Sequence, residues 1–508
     1  MGDIGTGGME ANKRLRAHDT WVVWLLCATV LAAAIPWQMR WGVVADTSWL
    51  LTSAERILAG ERLYRDIADT NPPFSTWLYV PPVLLAKAIG LRAETVVRIC
   101  TYLICLGGLG AAALIVRKGK LPEAAAVFPM LPLFLALLVL FPGNAFTERE
   151  HIGVALFLPL VVLAAWRTTP AVAVETPPVW LAVASGLGAG VIVLVKPYYV
   201  VLVLAVAFYV AWRRRDIRLL FAAEYLSAAA LSIAYVAAVI LVHPEFLTET
   251  YPLLADTYMR LVSGWDALTI YVVLLVAWLV VSALLTLAGG RSVLADILSV
   301  AALASYLPLF YQMKGWPYHA YPALALGVGA LLCRLAVGTR ADVLRTLSVA
   351  VFVIVAALPF MVTQRPSDAL VKTIRAAVVR PTVDMIGSDI AVGHPLNRDI
   401  DGRWISAYCS DWLGTALVTL SGKAEAEGDT AEARRYAAMR DRFIDDKIAT
   451  LLREPPQILL VQNSDRHWIE ILSRHPGYAD LMSGYRPLGS DGPITAYLRA
   501  ASPAAASD

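Results

Sequence analysis

Apolar stretches close to the thickness of a lipid bilayer recur through residues 21–363 of this 508-residue chain. A transmembrane helix needs about 20 mostly apolar residues. Only 16% of all residues are charged, whereas soluble domains carry about a quarter. The sequence therefore predicts a mainly α fold, a polytopic bundle of eleven membrane-spanning helices at residues 21–37, 97–116, 121–141, 152–166, 179–195, 198–212, 219–242, 268–287, 293–311, 320–337 and 344–362.

Basic residues set the predicted direction of the spans. Lys13, Arg14 and Arg16 precede the first span, and no small-residue cleavage site follows it, so we expect a retained helix with residues 1–20 in the cytoplasm. Cytoplasmic loops are enriched in Lys and Arg. The apolar stretch 74–91 is interrupted by Pro81 and Pro82. Only if this stretch does not cross the membrane does the rule place all the basic clusters in the cytoplasm, at 117–120, 167, 213–218, 291 and 340–345. We predict that this stretch is a short helix on the outer side.

Composition changes after residue 363. The sequence predicts a transmembrane domain over 21–363, with a long periplasmic loop at 39–94, and a small periplasmic α/β domain over 364–508. Within the latter, 457–462 and 494–498 are predicted strands, while 424–452 and 469–472 are predicted helical. Four of the five cysteines lie in apolar stretches, so no disulfide framework or thiolate metal site is expected.

Polar residues concentrate in the predicted outer segments. Asp46 precedes an amphipathic segment that predicts a helix at the membrane interface, where it is either an N-cap or a functional carboxylate. Asp69 precedes Pro72 and Pro73, so it belongs either to a stiff structural turn or to a functional site. The other candidates come from three further segments: Glu148, Arg149, Glu150 and His151; Lys196; and Lys314, Trp316, Tyr318 and His319.

Each of these segments also has a plainer interpretation. One of the two glutamates, Glu148 or Glu150, is favoured simply because it lies at a helix N-terminus. Lys196 could extend its side chain to the lipid headgroups, and Trp316 and Tyr318 could belong to an aromatic belt at the membrane surface. Four consecutive ionisable residues at an apolar boundary are costly, and the belt does not explain Lys314 with His319. We therefore expect the groups to act together at the outer surface on a lipid-linked anionic substrate. A net charge of only +3 predicts no nucleic-acid partner.

The order of features in residues 21–212 resembles a known family. The order is one span, an outer loop that opens with DTSWLLTSAERILAGERLY, a D-x-x-PP turn, a juxtamembrane helix that ends at Gly90, and Arg98 at the start of the next span. This order is similar to the N-terminal module of polytopic GT-C glycosyltransferases. The most similar members are the bacterial relatives of protein O-mannosyltransferases and of the aminoarabinose transferase of lipid A. The resemblance implies a sugar donor on polyprenyl phosphate and inverting transfer at the outer face.

The resemblance also implies roles for residues. The catalytic carboxylate falls on Asp46, and a second acidic residue falls on Glu148 or Glu150. The oligosaccharyltransferase branch holds a divalent metal with D-x-D motifs, and neither loop contains one, so we predict no metal ligands although the resemblance itself leaves a metal open. We assign catalysis to Asp46 and Glu150, phosphate binding to Arg149, Lys196 and Lys314, and substrate binding to Asp69, Glu148, His151, Trp316, Tyr318 and His319.

The resulting hypothesis is a glycosyltransferase of the bacterial inner membrane. It acts on a lipid, polysaccharide or protein acceptor and contacts membrane lipid. A transporter or flippase of lipid-linked sugars is the first alternative, but it predicts repeated halves and ionisable residues at mid-membrane, whereas Glu224 and Asp296 lie near predicted span ends. The second alternative is a scaffold protein whose C-terminal domain binds a partner. This alternative leaves the charged residues of the outer loops unexplained.

Overall fold

The computed structural model describes residues 5–169, 175–338, 342–363 and 365–500, with side chains from residue 20 onward. Arg340 and the side chains of Lys13, Arg14 and Arg16, used above for topology, lie outside this part. The chain divides into two compact units. The helical unit comprises Met1–Trp41, Arg98–Val236 and Ser263–Thr363, and the mixed unit comprises Gly42–Val97, Ala237–Val262 and Gln364–Asp508.

Helices account for most of the chain before the C-terminal sheet. Their order and bounds in the described residues are α1 Gly5–Trp41, α2 Ala45–Leu58, α3 Pro73–Trp77, α4 Val80–Ile89, α5 Ala93–Lys118, α6 Ala124–Val127, α7 Leu131–Val139, α8 Arg149–Thr168, α9 Val179–Val195, α10 Val200–Arg214, α11 Ala223–Val242, α12 Tyr251–Asp256, α13 Asp266–Leu287, α14 Val293–Gln312, α15 Pro317–Val337 and α16 Val343–Ala357. The mainly helical fold that the sequence predicts is therefore confirmed.

Eight of the described helices are long and apolar enough to cross a membrane: Thr20–Trp41 within α1, then α5, α8, α11, α13, α14, α15 and Val343–Phe360. The three other predicted spans contain shorter helices. Ala124–Val139 is interrupted by a 3₁₀ turn at Phe128–Met130, and α9 and α10 have 17 and 15 residues. The chain is a multi-pass membrane protein, while the total of eleven spans stays a prediction.

The stretch 74–91 forms two short helices. α3 has five residues and α4 has ten, well short of the length that crosses a bilayer. Gly90 ends α4 in the left-handed conformation, at φ 69°, which glycine adopts without steric cost. This agrees with the predicted non-spanning segment.

The C-terminal part of the mixed unit is α/β, as predicted. Its elements are α17 Asp368–Ala377, β1 Thr382–Ile386, α18 Ile390–Asp399, β2 Arg403–Trp404, α19 Trp412–Ala426, α20 Thr430–Arg453, β3 Ile458–Gln462, α21 Arg466–Ser473, α22 Pro476–Ser483, β4 Tyr485–Asp491 and β5 Ile494–Arg499. The sheet order is β2-β1-β3-β5-β4. β1 pairs in parallel with β2 and β3, and the β3–β5 and β4–β5 pairs are antiparallel.

One sequence prediction in this domain is wrong in detail. The helix predicted over 424–452 is two helices, α19 and α20, separated at 427–429. Gly428 takes φ 81° there, and the Asp429 side chain accepts a hydrogen bond from the Glu432 N–H, which caps α20. A glycine and a capping carboxylate side by side outweigh the helical spacing of the apolar residues.

A buried ion network fixes α20 against the sheet. Lys447 Nζ lies 2.8 Å from Asp384 Oδ1 and 3.2 Å from Asp411 Oδ1, and it donates to the Met385 carbonyl at 2.7 Å. Trp468 Nε1 donates to the other Asp411 oxygen at 2.9 Å. Because these buried polar atoms have partners, the network rigidifies the domain rather than straining it.

Candidate active site

Asp46 lies inside helix α2, in its first turn, and is half-buried. Val44 occupies the N-cap in an extended conformation. The interpretation of Asp46 as an N-cap residue is therefore wrong, since the helix starts two residues earlier than an N-cap at Asp46 requires. A carboxylate in the first turn of a helix is favoured by the helix dipole.

The C-terminal domain holds α2 in place within the mixed unit. Arg398 on α18 forms a two-pronged ion pair with Glu55, at 2.8 Å on each oxygen. The ring of Trp49 packs against His394, with 4.9 Å between centroids. Small polar residues on the helix that carries Asp46 are buried as well: Thr47, Ser48, Thr52 and Ser53.

Asp46 and Asp69 share a neighbour, Cys409. Burial, reinforced by the carboxylates of Asp69 and Asp46, raises the pKa of the Cys409 thiol, so the thiol stays protonated and is a poor nucleophile. Its carbonyl accepts a hydrogen bond from His394 Nε2 at 2.8 Å. Burial lowers the pKa of His394 to about 3, which keeps that ring neutral.

Asp69 organises the turn before Pro72. One carboxylate oxygen accepts from both the backbone N–H and the side-chain amide of Asn71, each at 2.9 Å, and the other accepts from Thr76 Oγ1 at 3.2 Å. The residue is 2% exposed. The geometry therefore supports the stiff-turn interpretation, and a direct role with substrate stays a prediction.

The run Glu148 to His151 opens helix α8 and is fully buried. Glu148 is the N-cap, and Arg149 Nε lies 3.9 Å from Glu148 Oε2. His151 makes different contacts from its neighbours: its Nε2 is 2.7 Å from the Leu138 carbonyl, and its ring packs on Tyr321 at 5.2 Å. It is thus a packed histidine among apolar helices.

Lys196 is the centre of a buried polar cluster in the helical unit. It is the one residue between α9 and the 3₁₀ turn Pro197–Tyr199. Its Nζ lies 2.5 Å from Glu150 Oε1 and 2.8 Å from His319 Nε2, and it is 5.1 Å from the centre of the Tyr318 ring. A lysine reaching the headgroups would be exposed, whereas Lys196 is 7% exposed.

The contact between Lys196 and His319 defines the state of the imidazole. An ammonium group can only donate, so Nε2 accepts and the ring proton resides on Nδ1. The rings of Tyr318 and Trp316 enclose His319, at 4.6 and 5.3 Å between centroids. These aromatic residues therefore belong to the cluster, beyond what an aromatic belt requires.

Lys314 lies in the turn between α14 and α15. Met313 and Gly315 both have positive φ, 48° and 68°, and Ser263 Oγ donates to the Lys314 carbonyl at 2.9 Å. Burial lowers the pKa of Lys314 to about 8. A lysine at that pKa is charged at neutral pH but titrates just above it.

Three cations surround His319 within electrostatic range: Lys196, Arg149 and Lys314. We call these three residues the cationic cluster. The carboxylates of Glu148 and Glu150 accompany it, which leaves an excess of one positive charge. Such a site in low dielectric attracts an anion far more strongly than the same charges in water.

Tyr199 belongs with these residues and was missed in the sequence. It is fully buried, and Glu150 and Arg149 act on it electrostatically. Its hydroxyl has no hydrogen-bond partner among the described residues. The one available signal was its position three residues after Lys196, in the run KPYY, which hydropathy assigns to a span.

Metal ligands do not converge in the part of the chain that the structure describes. No three His, Cys, Asp or Glu side chains there form a group able to hold a metal ion. The donor set thus offers no fit for a divalent metal, and the chemistry below is derived from side chains.

Comparison with known proteins finds similar folds among solved structures. No family model and no curated protein matches the chain. The crystal structure of ArnT from Cupriavidus metallidurans bound to undecaprenyl phosphate matches with a TM-score of 0.57 and 14% identity, over 95% of this chain and 98% of that one. The same protein in its apo state matches over the same shares, with a TM-score of 0.55 and 14% identity. The chain therefore has the polytopic fold of the ArnT structures, in agreement with the resemblance noted in its sequence.

Proposed function

We propose that this protein is an inverting glycosyltransferase of the bacterial inner membrane. It moves a sugar from a polyprenyl-phosphate donor to an acceptor hydroxyl at the periplasmic face. The observation that carries the proposal is the cationic cluster, in which Arg149 and Lys196 are buried and Lys314 is half-buried, in a chain with the fold of a protein crystallised with undecaprenyl phosphate. The N-terminus is then cytoplasmic, the C-terminal domain is periplasmic, and the acceptor is a lipid, polysaccharide or protein.

The cationic cluster binds the donor phosphate in this proposal. Negative charge grows on the phosphate as the bond between the sugar and the phosphate oxygen breaks, and preplaced cations stabilise that charge without reorganising. Glu150 orients Lys196 through their ion pair. The buried Tyr199 hydroxyl and His319 Nδ1, which lack hydrogen-bond partners among the described residues, supply further donors.

Asp46 acts as the general base. It takes the proton from the acceptor hydroxyl while that oxygen attacks the anomeric carbon, on the face opposite the phosphate. The new glycosidic bond forms as the old one breaks, which inverts the anomeric configuration and releases polyprenyl phosphate. The Arg398–Glu55 pair and the Asp69 turn hold the surrounding backbone fixed during this step.

The test is a transfer assay with the full chain in proteoliposomes. A prenyl-phosphate donor labelled in its sugar is supplied with candidate acceptors, and both released prenyl phosphate and labelled acceptor are followed. We expect the two products to appear in equal amounts. Movement of intact donor across the membrane without cleavage would instead establish the transporter alternative and overturn the proposal.

Donor binding is expected to weaken as the pH rises through about 8. Burial lowers the pKa of Lys314 to about 8, so its ammonium is present below that pH and lost above it. The KM for the donor, measured from about pH 6.5 to 9.5, should rise on the alkaline side. Lys314→Arg should abolish the rise, because arginine stays charged, while Lys372→Arg on the exposed face of α17 should retain it. An unchanged rise in Lys314→Arg would remove Lys314 from the phosphate site.

A further inference from the structure

A cavity of about 790 Å³ lies in the helical unit, and none of the cationic cluster residues lines it. It is bounded by α5, α7, α8, α14 and α15, and its walls are apolar. Of its described lining residues, only Arg117 and Lys120 are charged. This volume falls within the range of about 300–1,000 Å³ typical of ligand sites.

The sequence explains why the helices leave this space. The segment Ala124–Val139 is interrupted at Phe128–Met130, where Pro129 begins a break, so it covers less depth than its neighbours. Gly110 on α5 and Gly329 on α15 line the cavity and contribute no side chains. The cavity is therefore built by a short broken helix and two glycines, rather than by loose packing.

The charged end of the cavity has the character of a membrane surface. Arg117 and Lys120 lie at the end of α5 and just beyond it, and the rings of Trp24 and Phe128 form an edge-on pair with 6.4 Å between centroids beside them. Basic and aromatic side chains mark the interface, and the positive-inside rule assigns this end to the cytoplasmic leaflet. Lys120 contacts Glu175 at 3.3 Å in an exposed pair, which contributes little and which a phosphate can replace.

We propose that this cavity binds an anionic phospholipid of the cytoplasmic leaflet. Its acyl chains occupy the apolar space and its phosphate contacts Arg117 and Lys120. Basic pockets between transmembrane helices on that side recognise such headgroups by charge. The apolar end of the cavity includes Leu138, whose carbonyl is the partner of His151 on α8. Occupancy therefore supports the helix that carries Glu150, and it does so whether or not the proposed transfer reaction is correct.

Lipid binding is tested on the purified full chain in detergent. Phosphatidylglycerol and the zwitterionic phosphatidylcholine are titrated while bound lipid is counted by native mass spectrometry and thermal unfolding is followed. We expect one tightly bound phosphatidylglycerol per chain and a saturable rise in Tm, with phosphatidylcholine weaker by about tenfold or more. Arg117→Gln with Lys120→Gln should remove this preference, whereas Lys118→Gln, on the same helix end but outside the lining, should retain it.

Filling the cavity gives a second, independent readout. A side chain at Gly110 meets open space, and a Cβ at Gly329 would lie 3.6 Å from Leu298, an ordinary contact. Gly110→Phe and Gly329→Leu should each displace the lipid, while Gly107→Phe, equally unobstructed but outside the lining, should not. The proposal would be overturned if the charge and cavity variants bound phosphatidylglycerol as tightly as the unchanged protein. It would also be overturned if polyprenyl phosphate occupied the cavity in place of phospholipid.

Discussion

Replacing Asp46 with asparagine is expected to lower the turnover of sugar transfer by about 10²–10⁴-fold, the usual contribution of a general base. The amide has the shape of the carboxylate but cannot take a proton. Asp46 is half-buried in the first turn of α2, and asparagine fits that position without a cavity or clash. The loss should therefore appear in kcat, with the donor KM and the Tm little changed.

Asp66→Asn is the matched control for that experiment. Asp66 lies in the same loop and is exposed, and its Oδ2 accepts from the Arg62 N–H at 2.7 Å. An amide oxygen accepts that hydrogen bond equally well, so turnover should stay near that of the unchanged protein. If Asp46→Asn retained full turnover, another group would have to be the base.

The membrane helices were predictable because hydropathy is a local property. Each predicted span contains a helix, since about 20 apolar residues satisfy their own backbone hydrogen bonds only in that form. The C-terminal sheet was harder. β3 and β5 are short apolar runs, whereas β1 contains Asp384, and β4 contains Pro487 and Gly489. Pairing with neighbouring strands forms β1 and β4, and that information lies outside their own sequences.

The candidate site shows the same division. Sequence indicated which polar residues were unusual. It could not show that Lys196 pairs with Glu150 and also with His319, which lies 123 positions further along the chain. It grouped His151 with Glu150, although adjacent helical residues point about 100° apart and His151 faces Leu138. It also left the role of the C-terminal domain open, whereas Arg398 ties that domain to the helix of Asp46. Contacts between distant segments are set by packing, which no local pattern records.

Breaking the Lys196–Glu150 pair from one side is expected to destabilise the helical unit more than removing both charges. In Lys196→Met the Glu150 carboxylate stays buried without its counter-ion, which costs about 3–5 kcal/mol. In the double variant Lys196→Met with Glu150→Gln no such charge is left, so most of the stability should return. Thermal unfolding in detergent measures both, and Lys423→Met, whose partner Glu427 is 3.9 Å away in an exposed pair, should change nothing.

Activity separates the structural role of this pair from its chemical one. If Lys196 binds the donor phosphate, the double variant should be stable yet bind donor more weakly, by about 10–100-fold for the loss of a charged hydrogen bond. Return of donor binding together with stability would mean that Lys196 only neutralises Glu150. The phosphate site would then consist of Arg149 and Lys314, whose charges remain in both variants.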